Sequence, residues 1–169
     1  MRTIAAVTTA VMLAAPAPAQ EPPQPGPEHQ VLKRLEGTWD TTMKAGGMES
    51  KGTVTYKMEL GGRWLVGSLE SDLGGQKFSG KGLDTYDPAK KKYIGYWFDS
   101  MSTTPLAMEG TYDADKKTMT MVGEGPGPEG KPVKWKSVST MPDDDTIHMS
   151  MYVGDSKEPM FTITYKRKK

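Results

Sequence analysis

Two kinds of side chain in this sequence could form a ligand site: large, adaptable apolar groups and a charged group that could hold a polar end. The apolar candidates occur in short segments of alternating character and are Tyr56, Trp64, Trp97, Trp135 and Met151. Asp99, two residues after Trp97, and Arg63, next to Trp64, are the candidate polar anchors. Aromatic and methionine side chains suit lipids and other apolar molecules. The sequence therefore predicts a site for a small apolar or amphipathic ligand, although the same residues could simply fill a protein interior.

Asp99 has two interpretations. If it shares an inward face with Trp97, its carboxylate needs a partner such as Arg63, Ser102 or Thr103, or its pKa rises. It could equally end its strand, with Ser100 opening a turn. Because Asp and Ser are common at strand ends, the turn is the favoured interpretation.

Methionine and histidine offer weaker alternatives. The runs MTM at 119–121 and HMSM at 148–151 place methionines at every second position, and thioether and imidazole groups can bind Cu(I). However, His148 has the opposite parity to the methionines beside it, so one straight strand cannot direct all three at one ion. Haem would need an inward histidine, and the only other histidine, His29, lies in a helical segment. No cofactor is therefore predicted, with copper and haem as the less favoured alternatives.

Signatures of known enzyme classes are missing from the sequence. It has no cysteine nucleophile, no Gly-x-Ser-x-Gly elbow, no His-x-x-x-His pair and no phosphate-binding or dinucleotide-binding glycine motif. The acidic run at 143–145 is better explained as a solvated turn than as a metal site. These absences lower the expectation of catalysis, and a binding or interaction protein is favoured. An enzyme acting on a small molecule is the weaker alternative, which a carboxyl group with a raised pKa beside the opening of the site would favour.

The first 19 residues have the pattern of a cleaved secretory signal peptide. Arg2 precedes an apolar run at 4–15 that is too short to span a bilayer, and residues 17–19 form a small-x-small cleavage pattern. We therefore expect a periplasmic or secreted protein with no transmembrane segment and no cysteine for lipid attachment. Residues 20–27 are rich in proline and predict a tether, which leaves 28–169 as one domain.

Charge and composition narrow the range of partners. Without Arg2, 21 of the 22 Lys and Arg residues remain and balance the 21 Asp and Glu residues. A chain without net positive charge does not show the basic patch that nucleic-acid binding needs. The basic run at 166–169 is best explained as a solvated terminus. The predicted partner is thus a small hydrophobic molecule, while the oligomeric state is left open. Without disulfides, stability must come from a core, which a domain of this length can bury.

Period-two alternation follows one short predicted helix at 27–37. Ten strand segments are predicted, at 37–45, 52–60, 63–71, 76–87, 91–100, 106–113, 117–124, 131–141, 146–154 and 159–168. Short turn-rich links make neighbouring strands antiparallel. An open sheet or sandwich is possible, but an up-and-down β-barrel is favoured because closure removes exposed edges. A barrel of about ten strands is wide enough to hold a small ligand.

Two predictions concern how the barrel positions its side chains. Gly37 and Trp39 are expected to seal one end, because glycine permits a tight turn and the indole can cover the opening. Leu32 and Leu35 of the helix would pack over that indole. Alternation is read as placing Trp64 on the inward face of its strand.

The main alternative to a ligand-binding barrel is a filled barrel that acts as a structural or interaction module.

A longer motif adds a family resemblance. The segment GLDTYDPAKKKYIGYWFDSMSTTPLAMEGTYD at 82–113, with GTW at 37, GGRWL at 61 and TITYKRK at 162, resembles the bacterial family of unknown function DUF1579. The resemblance extends from about residue 28 to the C-terminus. It implies a calycin-like barrel, related in architecture to lipocalins, fatty-acid-binding proteins and nitrobindin-like haem proteins. It implies no established activity, and kinship of fold transfers no site.

Overall fold

The computed structural model describes residues 24–127 and 131–169, which form one short helix and ten strands. The predicted signal peptide and most of the predicted tether lie outside these residues. The elements are α1 (Glu28–Lys33), β1 (Gly37–Ala45), β2 (Met48–Glu59), β3 (Trp64–Leu73), β4 (Gln76–Asp87), β5 (Lys92–Asp99), β6 (Leu106–Asp113), β7 (Thr118–Pro126), β8 (Pro132–Asp143), β9 (Thr146–Val153) and β10 (Phe161–Arg167). All ten predicted strands are found, and the largest difference is that β2 begins four residues earlier than expected.

The strands form a closed antiparallel barrel in which each strand pairs with its neighbours in sequence. Closure comes from β1 and β10, which place Trp39 opposite Arg167 and Met43 opposite Ile163. The prediction of an up-and-down barrel is confirmed. Because the ring is complete, none of the ten described strands lacks a neighbour on either side.

The strand register defines which side chains face the interior. Leu65 of β3 is fully buried and pairs with Met58 of β2 and Asp84 of β4, so these three residues share the inward face. The inward assignment of Trp64 is therefore wrong. Trp64 pairs with the exposed Glu59 on the outer face, together with the other even-numbered residues of β3. The prediction failed because one inward position of β3 is a glycine, so the outer face looked the more apolar of the two.

Helix α1 covers one end of the barrel, called the sealed end below. It begins after Pro27, which suits a first turn because its missing N–H would have no partner there. Leu32 is buried in a cluster with Leu65 and Tyr93. The Tyr93 hydroxyl donates a hydrogen bond to Glu28 O at 3.1 Å, which ties the helix to β5. Among the described residues, no helix is long and apolar enough to cross a bilayer.

Trp39 forms the inner layer of the sealed end. Only 1% of its surface is exposed, and its indole N–H donates to Leu35 O at 2.9 Å. The Arg167 guanidinium lies 4.0 Å from the centre of the ring and donates to Arg34 O at 2.8 Å. Leu35 packs against Trp39, whereas Leu32 belongs to the neighbouring cluster. Gly37 has a φ of 122°, a conformation that suits glycine, where the chain leaves the helix for β1.

Candidate ligand site inside the barrel

The end of the barrel opposite α1 is called the mouth. On β5, Asp99 lies six residues beyond Tyr93, the residue that binds the helix, and six residues of extended strand span about 20 Å. The inward side chains around the mouth include Trp97, Asp99, Leu106 and Trp135. All four are half-buried, so this end of the interior stays accessible to solvent.

Trp97 and Asp99 form a connected pair at the mouth. The Trp97 indole N–H donates to Asp99 Oδ2 at 2.8 Å, and the Met101 backbone N–H donates to Oδ1 at 2.9 Å. Asp99 therefore both ends β5 and faces inward, so each of its two interpretations is partly correct. The indole lies against Gly80 of β4, where an added Cβ would overlap it.

Near the sealed end, three polar side chains from different strands form what we call the floor cluster: Tyr56 of β2, Asp84 of β4 and Tyr165 of β10. Both tyrosines pack against the buried group around Trp39. The two tyrosine side chains are close enough for each to influence the pKa of the other. The charge of Asp84 acts on both tyrosines, so the three groups form one electrostatic unit.

Asp84 carries the strongest sign of a site. Burial raises the pKa of its carboxyl group from 3.8 to about 7, since a charged carboxylate is costly away from water. Among residues 24–127 and 131–169, no hydrogen bond and no cation lowers the pKa of this group again, and burial is the single cause of the shift. Buried carboxyl groups are normally hydrogen-bonded or paired, so an unpartnered one indicates a missing partner.

The tyrosines are protonated donors in this environment. Burial raises the pKa of Tyr56 well above its usual value, and the neighbouring Tyr165 and Asp84 raise it further. Burial and the charge of Asp84 also raise the pKa of Tyr165, although its hydrogen bond with Tyr56 acts in the opposite direction. Both hydroxyls therefore keep their protons at neutral pH.

Inward glycines leave room beside the functional side chains. Gly95 of β5 pairs with Asp84, and a Cβ at this position would lie 2.7 Å from Asp84 Oδ1. Gly67 of β3 pairs with Tyr56, whose ring would be 2.6 Å from an added Cβ. Glycine within a strand often marks such close approach. Here it lets a long or charged side chain lie flat against the barrel wall.

Several inward side chains of the barrel are only partly buried. Asp84, Tyr56 and Tyr165 are enclosed by strands, yet each is only partly buried. The same is true of Ser137 and Met149 on the opposite wall. A close-packed core would leave such inward side chains with almost no accessible surface.

Between the floor cluster and the mouth, the charged inward side chains of the described strands are acidic. Over the ten strands, all of which are described, the inward positions carry only three charged residues: Asp84, Asp99 and Arg167. Arg167 lies on the helix side of Trp39 and is held by backbone carbonyls and by Asp145 at 3.2 Å. The space between floor and mouth therefore faces two carboxyl groups and no basic side chain of the described strands.

Most of the site residues predicted from sequence lie in this interior. Tyr56 belongs to the floor cluster, and Trp97, Asp99 and Trp135 belong to the mouth. Met151 faces inward between them, where it pairs with Ser137 and Phe161. The Trp135 indole N–H donates to Pro126 O at 3.3 Å, which fixes the ring at the rim.

Arg63 and Trp64 do not belong to this site. Arg63 lies in the turn before β3, where its Nη1 donates to Leu60 O at 3.0 Å and its carbonyl accepts from Thr85. That turn is at the sealed end, whereas Asp99 is at the mouth. The suggested Arg63–Asp99 pair is wrong because the two residues lie at opposite ends of the barrel.

Sequence reasoning missed Asp84 and Tyr165. In β4 the inward positions after Phe78 are Gly80, Gly82 and Asp84, and two glycines followed by an acid do not look like an inward face. A usable signal was present, since an aspartate two residues before a tyrosine in a continuous strand must share its face. Tyr165 lies in the last strand, for which no face was assigned.

The histidines and methionines do not form a ligand set in the interior. His148 is exposed on the outer face of β9, and His29 lies in α1, where its Nδ1 accepts from Gly26 N at 3.2 Å. Met119 and Met121 pack in the core at the sealed end. No group of three His, Asp or Glu side chains within the described ranges is arranged to hold a metal ion.

Comparison with known families identifies the class of this chain. The model of the family described as "Protein of unknown function (DUF1579)" matches residues 24–167. The chain therefore belongs to the DUF1579 family, whose description assigns no activity. None of the curated proteins compared with the chain matches it.

One of the solved structures compared with this chain supports its fold, and the fold alone. The crystal structure of Rv2717c from M. tuberculosis is similar with a TM-score of 0.62 and 16% identity, over 86% of this chain and 100% of that one. A de novo designed fluorescence-activating β-barrel matches with a TM-score of 0.48 and 13% identity, over 82% and 97% of the two chains. A redesigned β-barrel, mFAP1, bound to DFHBI, gives 0.43 and 17%, over 81% and 98%.

Proposed function

We propose that this protein is an exported, non-enzymatic carrier that holds a small, largely apolar molecule inside its barrel. The observation on which the proposal rests is the Asp84 carboxyl group, which has no charge or hydrogen-bond partner among the described residues and lies among inward side chains that are only partly buried. Entry would occur at the mouth, past Trp97 and Trp135. Export is supported by the signal-peptide pattern of the first 19 residues.

The chemistry of the lining supports this proposal. Methionine and aromatic side chains make up much of the wall, and such groups adapt to apolar ligands of irregular shape. Polar groups are few and converge on the floor cluster, which would orient one end of the ligand. A pocket with an apolar wall and a small number of placed polar groups is the usual form of a small-molecule site.

A fluorescent probe tests the proposal. N-phenyl-1-naphthylamine is uncharged at neutral pH and brightens in apolar surroundings, so the mature protein is expected to bind it with a saturable signal. Ser137→Phe would fill the interior, because Ser137 faces inward between Met121 and Met151. Val138→Phe adds the same ring on the outer face and serves as the matched control.

We expect Ser137→Phe to weaken probe binding at least tenfold and Val138→Phe to leave it within about twofold. Circular dichroism must show that both variants keep the native strand content. If the unmodified protein gives no saturable signal, the filled-barrel module replaces the carrier as the better account. If both variants bind like the parent, the probe binds outside the barrel and the carrier proposal is wrong.

A further inference from the structure

The floor of the barrel also bears on the chemical class of the ligand. Asp84 lies between Leu65 of β3 and Gly95 of β5, and neither neighbour offers a hydrogen-bond donor side chain. Its oxygens lie next to Gly95 and Gly82, as shown by the 2.7 and 3.8 Å to a Cβ added at those positions. Gly82 is two residues nearer the mouth on β4. Along the barrel wall, the carboxyl group therefore has no charged or hydrogen-bonding side chain on either neighbouring strand.

We infer that the ligand carries an organic ammonium group, which the Asp84 carboxylate binds at the floor of the barrel while the apolar part of the ligand extends toward the mouth. This inference rests on the proposed carrier function and specifies its ligand. It assigns Asp84 as the anchor, a role that the sequence had suggested for Asp99 or Arg63.

Electrostatic complementarity favours a ligand with a cationic head group over one with an anionic head group. The interior faces two carboxyl groups, while the one inward cation of the described strands, Arg167, is engaged on the far side of Trp39. An anionic head group would meet like charge and find no cation to bind. An ammonium group would supply the partner that Asp84 lacks, and a charge pair with hydrogen bonds offsets the cost of burying both groups.

Aromatic rings add to the preference for a cation. Tyr56 belongs to the floor cluster, and Trp97 lies two positions toward the mouth from Gly95 on the same strand. Aromatic faces attract ammonium groups, especially where water is excluded. The tyrosine hydroxyls can also accept or donate a hydrogen bond beside the ion, so the floor can solvate a compact cation.

The titratable groups near Asp84 make the inference testable by pH. Tyr56 of β2 and Tyr165 of β10 face it, while the neighbouring inward positions Leu65, Gly95 and Met121 carry no ionisable group. Burial raises the pKa of both tyrosines, so neither loses its proton near neutrality. With the Asp84 pKa at about 7, cation binding should strengthen as pH rises from 5.5 to 8.5.

Three probes of equal chain length separate the possibilities: octylamine, octan-1-ol and octanoate, each competing with N-phenyl-1-naphthylamine on the mature protein. At pH 8.5 we expect octylammonium to bind at least tenfold more tightly than octanol, and octanoate to bind most weakly. Octylammonium should bind at least fivefold less tightly at pH 5.5. Asp84→Asn should remove the preference for the amine and keep octanol binding, while Asp99→Asn at the mouth keeps most of the preference.

The outcomes distinguish the two proposals. If octanol binds and octylammonium shows no preference, the ammonium inference is overturned and the carrier function stands. If octanoate binds best and gains at low pH, Asp84 acts as a neutral donor and the inference is also overturned. If Asp99→Asn, rather than Asp84→Asn, removes the preference, the anchor is wrongly assigned. If neither the naphthylamine nor any of the three probes binds, both proposals fail.

Discussion

Asp84 faces Gly95 across the β4–β5 pair so closely that a methyl group at residue 95 would lie 2.7 Å from Asp84 Oδ1. The carboxyl group therefore depends on the absence of a side chain on the next strand. This relationship connects the strand register to the candidate ligand site, because moving the carboxyl group would change both its burial and its access to the interior.

Gly95→Ala is expected to impair the site while keeping the fold. The new methyl group must displace the Asp84 carboxyl, and such overpacking typically costs about 1–3 kcal/mol. Octylammonium affinity should fall at least tenfold in the naphthylamine competition. Gly82→Ala is the control, because its Cβ would be 3.7 Å from the Trp97 ring, an ordinary contact. Equal losses in the two variants would mean that the Asp84–Gly95 contact has no special role.

Asp84→Asn should make stability less dependent on pH. The folded-state pKa of Asp84 is about 7 against 3.8 for the free group, so between these values the folded state holds a proton that the unfolded state releases. Stability is therefore lost as pH rises toward 7 and changes no further above it. At about 1.4 kcal/mol per pH unit, the parent should lose on the order of 2–3 kcal/mol relative to Asp84→Asn between pH 5 and pH 8.

Urea unfolding of both proteins at several pH values measures this difference. Asp99→Asn is the matched control, since it makes the same substitution at the mouth. A constant gap between parent and Asp84→Asn from pH 5 to pH 8 would show that the Asp84 carboxyl group is not buried in the way described.

Trp97→Ala tests whether the mouth binds ligand or supports the core. Trp97 is half-buried and belongs to neither buried cluster, so we expect a loss of about 2 kcal/mol or less in the free energy of unfolding. The rise in melting temperature caused by N-phenyl-1-naphthylamine should largely disappear. Trp64→Ala, on the outer face, should keep that rise. Unfolding of Trp97→Ala without ligand would instead identify Trp97 as a core residue.

Arg167→Lys tests the sealed end. The Arg167 guanidinium lies over Trp39 and donates to the carbonyls of Glu36 and Arg34 at 2.5 and 2.8 Å, which one ammonium group cannot reproduce. We expect a loss of about 2–4 kcal/mol by urea unfolding. Arg34→Ala removes an exposed ion pair to Asp144 and should cost less than about 1 kcal/mol. If Arg167→Lys loses as little stability as Arg34→Ala, Arg167 does not stabilise the sealed end in the way described.

The strands were predictable because their signals are local. Alternation and turn residues located every strand, and Gly37 and Trp39 were assigned to the end that the helix covers. Asp84 was not predictable as an anchor, because its surroundings are set by residues from other strands. Its burial depends on pairing with Leu65 and Gly95 and on tyrosines that approach from β2 and β10. Register is a non-local property, and a single strand carries little information about it.

The pairing of β1 with β10 also has a consequence for folding kinetics. The hydrogen bond between Arg167 and Glu36 joins residues 131 positions apart. All other strand pairs are between sequence neighbours and can form as local hairpins. The entropic cost of closing this long loop therefore falls on the single step in which β1 pairs with β10. Contacts between residues far apart in sequence slow folding. We expect ring closure to be the late event in folding, so a nascent chain would remain an open sheet until its last strand emerges.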